Sequence, residues 1–200
     1  GLKEEKKLNQ IVKQICSVLY YLHQSNYIYY DLKAENILVA ELNGNPIIKV
    51  IDLGFARNTL LSYDKDVQGT PYYIAPELLK NEQHNHKVDF YSLGMLLYRI
   101  VYGKFPFISE IELDIYKAHI EEEFVLGPSI YSKKLINVIS KLIKKNPEDR
   151  YNNALQIILD LQIPIDFEIV KDFVPAKVFS DRKDAFNILN TYLNDKSSNE

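Results

Sequence analysis

Four side chains of complementary chemistry stand in the first third of this 200-residue chain: Asp31, Lys33 and Asn36 in one short stretch, then Asp52. A carboxylate can orient and deprotonate a hydroxyl that comes within hydrogen-bond reach. Lys33 adds a positive charge two positions away. The amide oxygen of Asn36 and the carboxylate of Asp52 are hard oxygen donors of the kind magnesium prefers. A blander reading of the first three, an N-cap Asp, a surface Lys and a turn Asn, predicts no correlated motifs downstream.

The elements that must position these residues are legible from periodicity. Leu8, Ile11, Val12, Ile15, Leu19 and Leu22 recur at helical spacing and predict a helix over about residues 4–23, with Cys16 bordering its apolar face as a buried, inert thiol. Ile37-Leu38-Val39 and the run 47–51 flank the turn-forming cluster Asn43-Gly44-Asn45-Pro46, which predicts a hairpin holding Asp31 and Asp52 on opposite sides of a ribbon, near one cleft. Residues 88–101 are almost wholly apolar apart from Asp89, Ser92 and Arg99, the pattern of a core helix buried on most sides. Further helices are expected over 108–120, 132–145 and 151–161, with a break at Asn146-Pro147-Glu148-Asp149. Past Pro164 the pattern loosens, leaving one amphipathic segment over 185–193 and a solvated end over 195–200. The fold class is mainly α with a small β-hairpin, in one unit over 1–161 followed by an extension over 162–200.

A hydrophobic share of 46% is enough to bury a sizeable core, and a net charge of −3 with no basic block argues against a nucleic-acid surface. The fifteen tyrosines lack the interleaved basic residues of a base-stacking platform and are expected in the core or at its rim. No apolar run approaches the roughly 18 residues of a membrane span. A single cysteine excludes an internal disulfide framework and points to a reducing, cytoplasmic setting. His84 and His86 lie among polar residues and supply too few ligands for a metal site, so they are expected in a solvated loop.

Taken in order, Tyr29-Tyr30-Asp31-Leu32-Lys33-Ala34-Glu35-Asn36, Asp52-Leu53-Gly54 and Ala75-Pro76-Glu77 resemble the catalytic loop, metal-binding turn and activation-segment end of a eukaryotic-type serine/threonine protein kinase. The likeness covers roughly residues 4–160 and only the large, C-terminal lobe. It implies that Asp31 is the catalytic base, that Lys33 contacts the moving phosphoryl group of ATP, and that Asn36 and Asp52 hold Mg2+. Thr70, in the segment Gly69-Thr70-Pro71-Tyr72-Tyr73-Ile74 that would receive the substrate, implies Ser or Thr acceptors on a protein substrate. By the same resemblance Glu77 pairs with Arg150, and Asp89 anchors the catalytic-loop backbone.

Departures from the pattern carry their own expectations. Leu53 replaces the usual Phe and still fills an apolar socket, and Tyr29 replaces the common His. Tyr30 stands where regulated members carry the Arg that clamps an activation-segment phosphate, a task a phenol cannot perform. Neither a Gly-rich loop nor a strand lysine precedes Leu8, so these 200 residues are expected to be part of a longer protein and nearly inert alone. The same features suit an alternative, a pseudokinase or scaffold module that binds protein partners.

Overall fold

In the computed structural model the described residues are 2–60 and 69–164. The expected segments over 185–193 and 195–200 lie outside them. Helix α1 (Leu2–Gln24) buries Leu8, Val12, Ile15, Cys16, Leu19 and Leu22 along one stripe, as their spacing dictates. Burial pushes the Cys16 thiol pKa well above its ordinary value, which removes its thiolate chemistry. The stripe packs on a β-hairpin and on the last described helix.

The hairpin pairs β2 (Ile37–Leu42) antiparallel with β3 (Asn45–Val50), after the short strand β1 (Tyr27–Ile28). Its turn is tighter than the sequence suggested: Asn43 and Gly44 alone make it, both at positive φ (50° and 79°), the pattern of a type I′ turn. Asn45 and Pro46 therefore belong to the strand. Gln14 of α1 holds that strand, donating from Nε2 to the Pro46 carbonyl at 2.8 Å and accepting from the Ile48 amide at 3.1 Å. Ile37 faces Val50 at the open end, so the chain enters and leaves the hairpin side by side. A second two-stranded sheet, β1 with β4 (Arg57–Asn58), was not anticipated, because two residues per strand carry no readable alternation.

Past the short helix α2 (Pro76–Leu79), α3 (Lys87–Tyr102) runs through the core with all residues from Lys87 to Tyr98 buried. Its neighbour is α5 (Lys133–Leu142), and Gly94 sets their approach. A Cβ there would come within 2.6 Å of Ile143 Cγ2 and 2.7 Å of Leu142 Cβ, so any larger residue forces the helices apart.

Helix α4 (Glu112–Glu121) starts four residues later than periodicity predicts. The Tyr72 hydroxyl donates to the Ser109 carbonyl at 3.0 Å, and Ser109 Oγ accepts from the Ile111 amide at 3.0 Å, so this stretch is held as a turn. Likewise α5 ends at Leu142 and α6 (Ala154–Asp160) starts at its cap, where the Asn153 side chain accepts from the Gln156 amide. Among the described residues no helix is long and apolar enough to cross a membrane.

Candidate active site

The stretch carrying Asp31 is hung from α3. Asp89, fully buried, accepts from the Tyr29 amide at 2.9 Å and the Tyr30 amide at 2.8 Å, and its Oδ2 lies 2.8 Å from His23 Nε2. These bonds hold Tyr30 at a φ of 66°, a left-handed conformation rare for an aromatic residue. The Tyr29 hydroxyl donates to the Ile51 carbonyl at 2.6 Å, and the Ile51 amide donates to the Asn36 carbonyl at 2.9 Å. Burial, followed by the charge of Asp31, raises the Tyr29 pKa, so the phenol stays neutral and keeps its proton for that bond. The two ends of the hairpin are thus locked together, with Asp31 ahead of the one and Asp52 just past the other.

Asp31 is 3% exposed, and each carboxylate oxygen has a defined task. Oδ2 accepts from Asn36 Nδ2 at 2.8 Å and pairs with Lys33 Nζ at 2.8 Å. Oδ1 accepts from the Thr70 hydroxyl at 2.8 Å, and Lys33 Nζ donates to that same hydroxyl oxygen at 2.9 Å. A hydroxyl group is therefore seated between a carboxylate and an ammonium. Asn36 donates again to the Asp31 carbonyl at 2.9 Å, which commits its amide nitrogen to Asp31 and leaves its amide oxygen as the acceptor.

Asp52 is exposed, at φ 55° and ψ 73°, and its Oδ1 accepts from the Gly54 amide at 3.1 Å. Among the described residues no three His, Cys, Asp or Glu side chains converge on a metal. The donor set of Asn36 and Asp52 nonetheless fits magnesium, which commonly takes one or two protein oxygens and fills the rest of its shell with phosphate and water.

Thr70 opens a segment that α3 also fixes. Ser92 donates to the Tyr73 carbonyl at 2.8 Å. The Tyr91 hydroxyl lies 2.8 Å from His119 Nδ1, and His119 Nε2 lies 2.8 Å from the Pro71 carbonyl. The carbonyl can only accept, so Nε2 carries the proton and Nδ1 accepts from Tyr91. Burial pushes the His119 pKa down to about 3, which keeps this relay neutral. Further on, Glu77 and Arg150 form a buried bidentate pair at 2.7 and 2.8 Å.

The protein kinase domain family matches residues 1–160. The chain belongs to the protein kinase family. It is similar to calcium-dependent protein kinase 5 of Plasmodium berghei, 40% identical over 134 residues that cover 66% of this chain and 24% of that protein. The cAMP-dependent protein kinase catalytic subunit of Schizosaccharomyces pombe is 32% identical over 157 residues, covering 78% of this chain and 30% of its own length. Aurora kinase A-B of Xenopus laevis is 34% identical over 139 residues, 70% of this chain and 33% of that one. The chain thus spans between 24% and 33% of the length of these relatives.

Within this kinase fold the structure brings Asp31, Lys33, Asn36 and Thr70 into one hydrogen-bonded cluster and sets Asp52 beside it through the Asn36–Ile51 backbone bond. Glu77, Asp89 and Arg150 stand apart as supports. Three histidines have positions that sequence reasoning missed. His84 is half-buried, with Nε2 2.9 Å from the Tyr30 hydroxyl. His86 immediately precedes α3, reaches the Asn152 carbonyl at 2.9 Å and lies against the His23 ring, so the pair sits in the expected loop among exposed Asn81, Glu82, Gln83 and Asn85, but with both histidines half-buried. Burial lowers the His86 pKa. His119 falls in a helix whose pattern reads as ordinary surface, and only contacts made across long sequence separations reveal its role.

Proposed function

We propose that the chain is the large, C-terminal lobe of a serine/threonine protein kinase, transferring the γ-phosphate of ATP to Ser or Thr of protein substrates. The observation that carries this reading is the Thr70 hydroxyl shared between Asp31 Oδ1 and Lys33 Nζ. A substrate hydroxyl arriving beside Thr70 would meet the remaining lone pair of Oδ1, since Oδ2 is taken up by Asn36 and Lys33. Asp31 then orients the hydroxyl and takes its proton at Oδ1, while Lys33 stays close enough to offset charge on the transferred group. Bound magnesium would neutralise phosphate charge, and Asn36 and Asp52 are the residues that would hold it.

The preference for Ser and Thr rests on Thr70, and the buried Cys16 fits a reducing, cytoplasmic setting. No Gly-rich loop or strand lysine is encoded ahead of α1 within these residues, so the isolated chain should bind ATP weakly and transfer phosphate poorly. The test is transfer of radiolabelled phosphate by the full-length protein to a mixed protein substrate, followed by phosphoamino-acid analysis. Phosphoserine or phosphothreonine, abolished by Asp31→Asn, supports the assignment. Phosphotyrosine alone, or no transfer, contradicts it.

A further inference from the structure

Arg99, in the last turn of α3, joins the two segments that build the centre. Its NH1 donates to the Tyr73 hydroxyl at 2.9 Å and to Glu35 Oε1 at 3.3 Å, and its guanidinium lies 5.1 Å from the Phe105 ring centroid. Glu35 lies between Lys33 and Asn36 on the catalytic stretch, and Tyr73 closes the turn that begins after Thr70. The side chain of Arg99 is 42% exposed. One nitrogen thus does the anchoring, and among the described residues Nε and NH2 make no hydrogen bond. That remaining edge is the fork that grips a carboxylate in two parallel bonds.

The same contacts decide the sign of what binds. Glu35, the acid closest along the chain to the transfer centre on its solvent side, would draw a basic substrate residue if it stood alone. Arg99 neutralises it, and three contacts keep the guanidinium from swinging away. A basic side chain on the substrate would have to displace Arg99, whereas an acidic one adds to it without breaking a bond. Resting on the kinase reading above, we propose that Arg99 is a specificity residue that selects protein substrates with an Asp or Glu close to the acceptor Ser or Thr.

Three serine peptides of matched length test this with the full-length protein: one flanked by Glu, one by Arg, one by neutral residues. The unaltered protein should show kcat/KM at least about tenfold higher for the acidic than for the basic peptide, equivalent to about 1.4 kcal/mol. In Arg99→Ala that ratio should fall to within about threefold, and in Arg99→Glu it should invert. The ratio compares substrates on one enzyme, so a general folding defect divides out. Phosphorylation of the neutral peptide with no acidic preference, or an unchanged ratio in Arg99→Ala, overturns the specificity assignment and leaves the kinase reading standing. Transfer to none of the three overturns both.

Discussion

Among the carboxylate–cation pairs of the described residues, Glu77–Arg150 and Asp31–Lys33 are nearly equal in length and do different work. Glu77 and Arg150 meet at 2.7 Å with side chains 2% and 0% exposed, and the guanidinium also donates to the carbonyls of Lys144, Lys145 and Lys87. Its donors are spent, and it lies 4.9 Å from the Tyr91 ring centroid. Asp31 and Lys33 meet at 2.8 Å, but Lys33 is 22% exposed and both partners share their remaining capacity with one exchangeable hydroxyl. A salt bridge with no uncommitted donor or acceptor is structural, and one that keeps capacity at a solvent-facing edge can act on a ligand.

The sealed pair should give the largest stability effect. Arg150→Ala leaves a buried carboxylate without its partner and should cost about 3–5 kcal/mol in urea melts. A loss near the roughly 0–1 kcal/mol of an exposed pair would erase the contrast between the two sites. At the open pair, Lys33→Ala should cost about 1 kcal/mol or less, since Asp31 keeps its bonds to Asn36 and Thr70 and water reaches the gap. Its effect should appear in turnover instead.

His119 belongs with the sealed group and makes it sensitive to acid. Its folded pKa of about 3 lies below the ordinary value of 6.5, so the unfolded chain binds the extra proton first. Stability from this residue is present in full above pH 6.5 and is lost as pH falls toward about 3. Lys145, whose Nζ donates to the His119 carbonyl at 2.7 Å, adds a positive charge that disfavours protonation further. Between those limits His119→Gln should flatten the pH dependence of urea melts by at most about 1.4 kcal/mol per pH unit. An unchanged slope would mean that the histidine is hydrated.

The smallest expected effect concerns regulation near the open site. By the family resemblance Tyr30 stands where a phosphate-clamping arginine is expected, and its hydroxyl lies 2.9 Å from His84 Nε2. Phosphatase treatment of the full-length protein, or replacement of Thr59, Ser62 and Tyr63, should therefore change activity little. A drop of a hundredfold, about 2.7 kcal/mol, would show that another cation anchors a phosphorylated segment.

Much of this was legible because it is local. The stripe from Leu8 to Leu22 and the apolar run of α3 announce themselves by period, and the Asp31–Asn36 and Ala75–Glu77 motifs fix which family to expect. What escaped depends on partners far apart in sequence. The β1–β4 ladder joins residues about thirty positions apart with two residues per strand. Tyr91, His119 and Pro71 form one relay from three separate elements, and Arg99 looks like one of three scattered polar residues on a buried helix until Tyr73 and Glu35 close around it. The late start of α4 has the same origin, a hydroxyl from Tyr72 overriding local helical preference.

In the proposed reading Asp31 would handle the substrate hydroxyl, and Asp52 with Asn36 would hold the metal that accompanies the nucleotide. Measuring magnesium-dependent ATP affinity and kcat for Asp31→Asn and Asp52→Asn in the full-length protein tests it most directly. Asp31→Asn should leave ATP affinity nearly unchanged and lower kcat by about 10²–10⁴-fold, and Asp52→Asn should weaken metal-dependent ATP binding itself. Equal loss of ATP affinity in both variants would contradict the assignment.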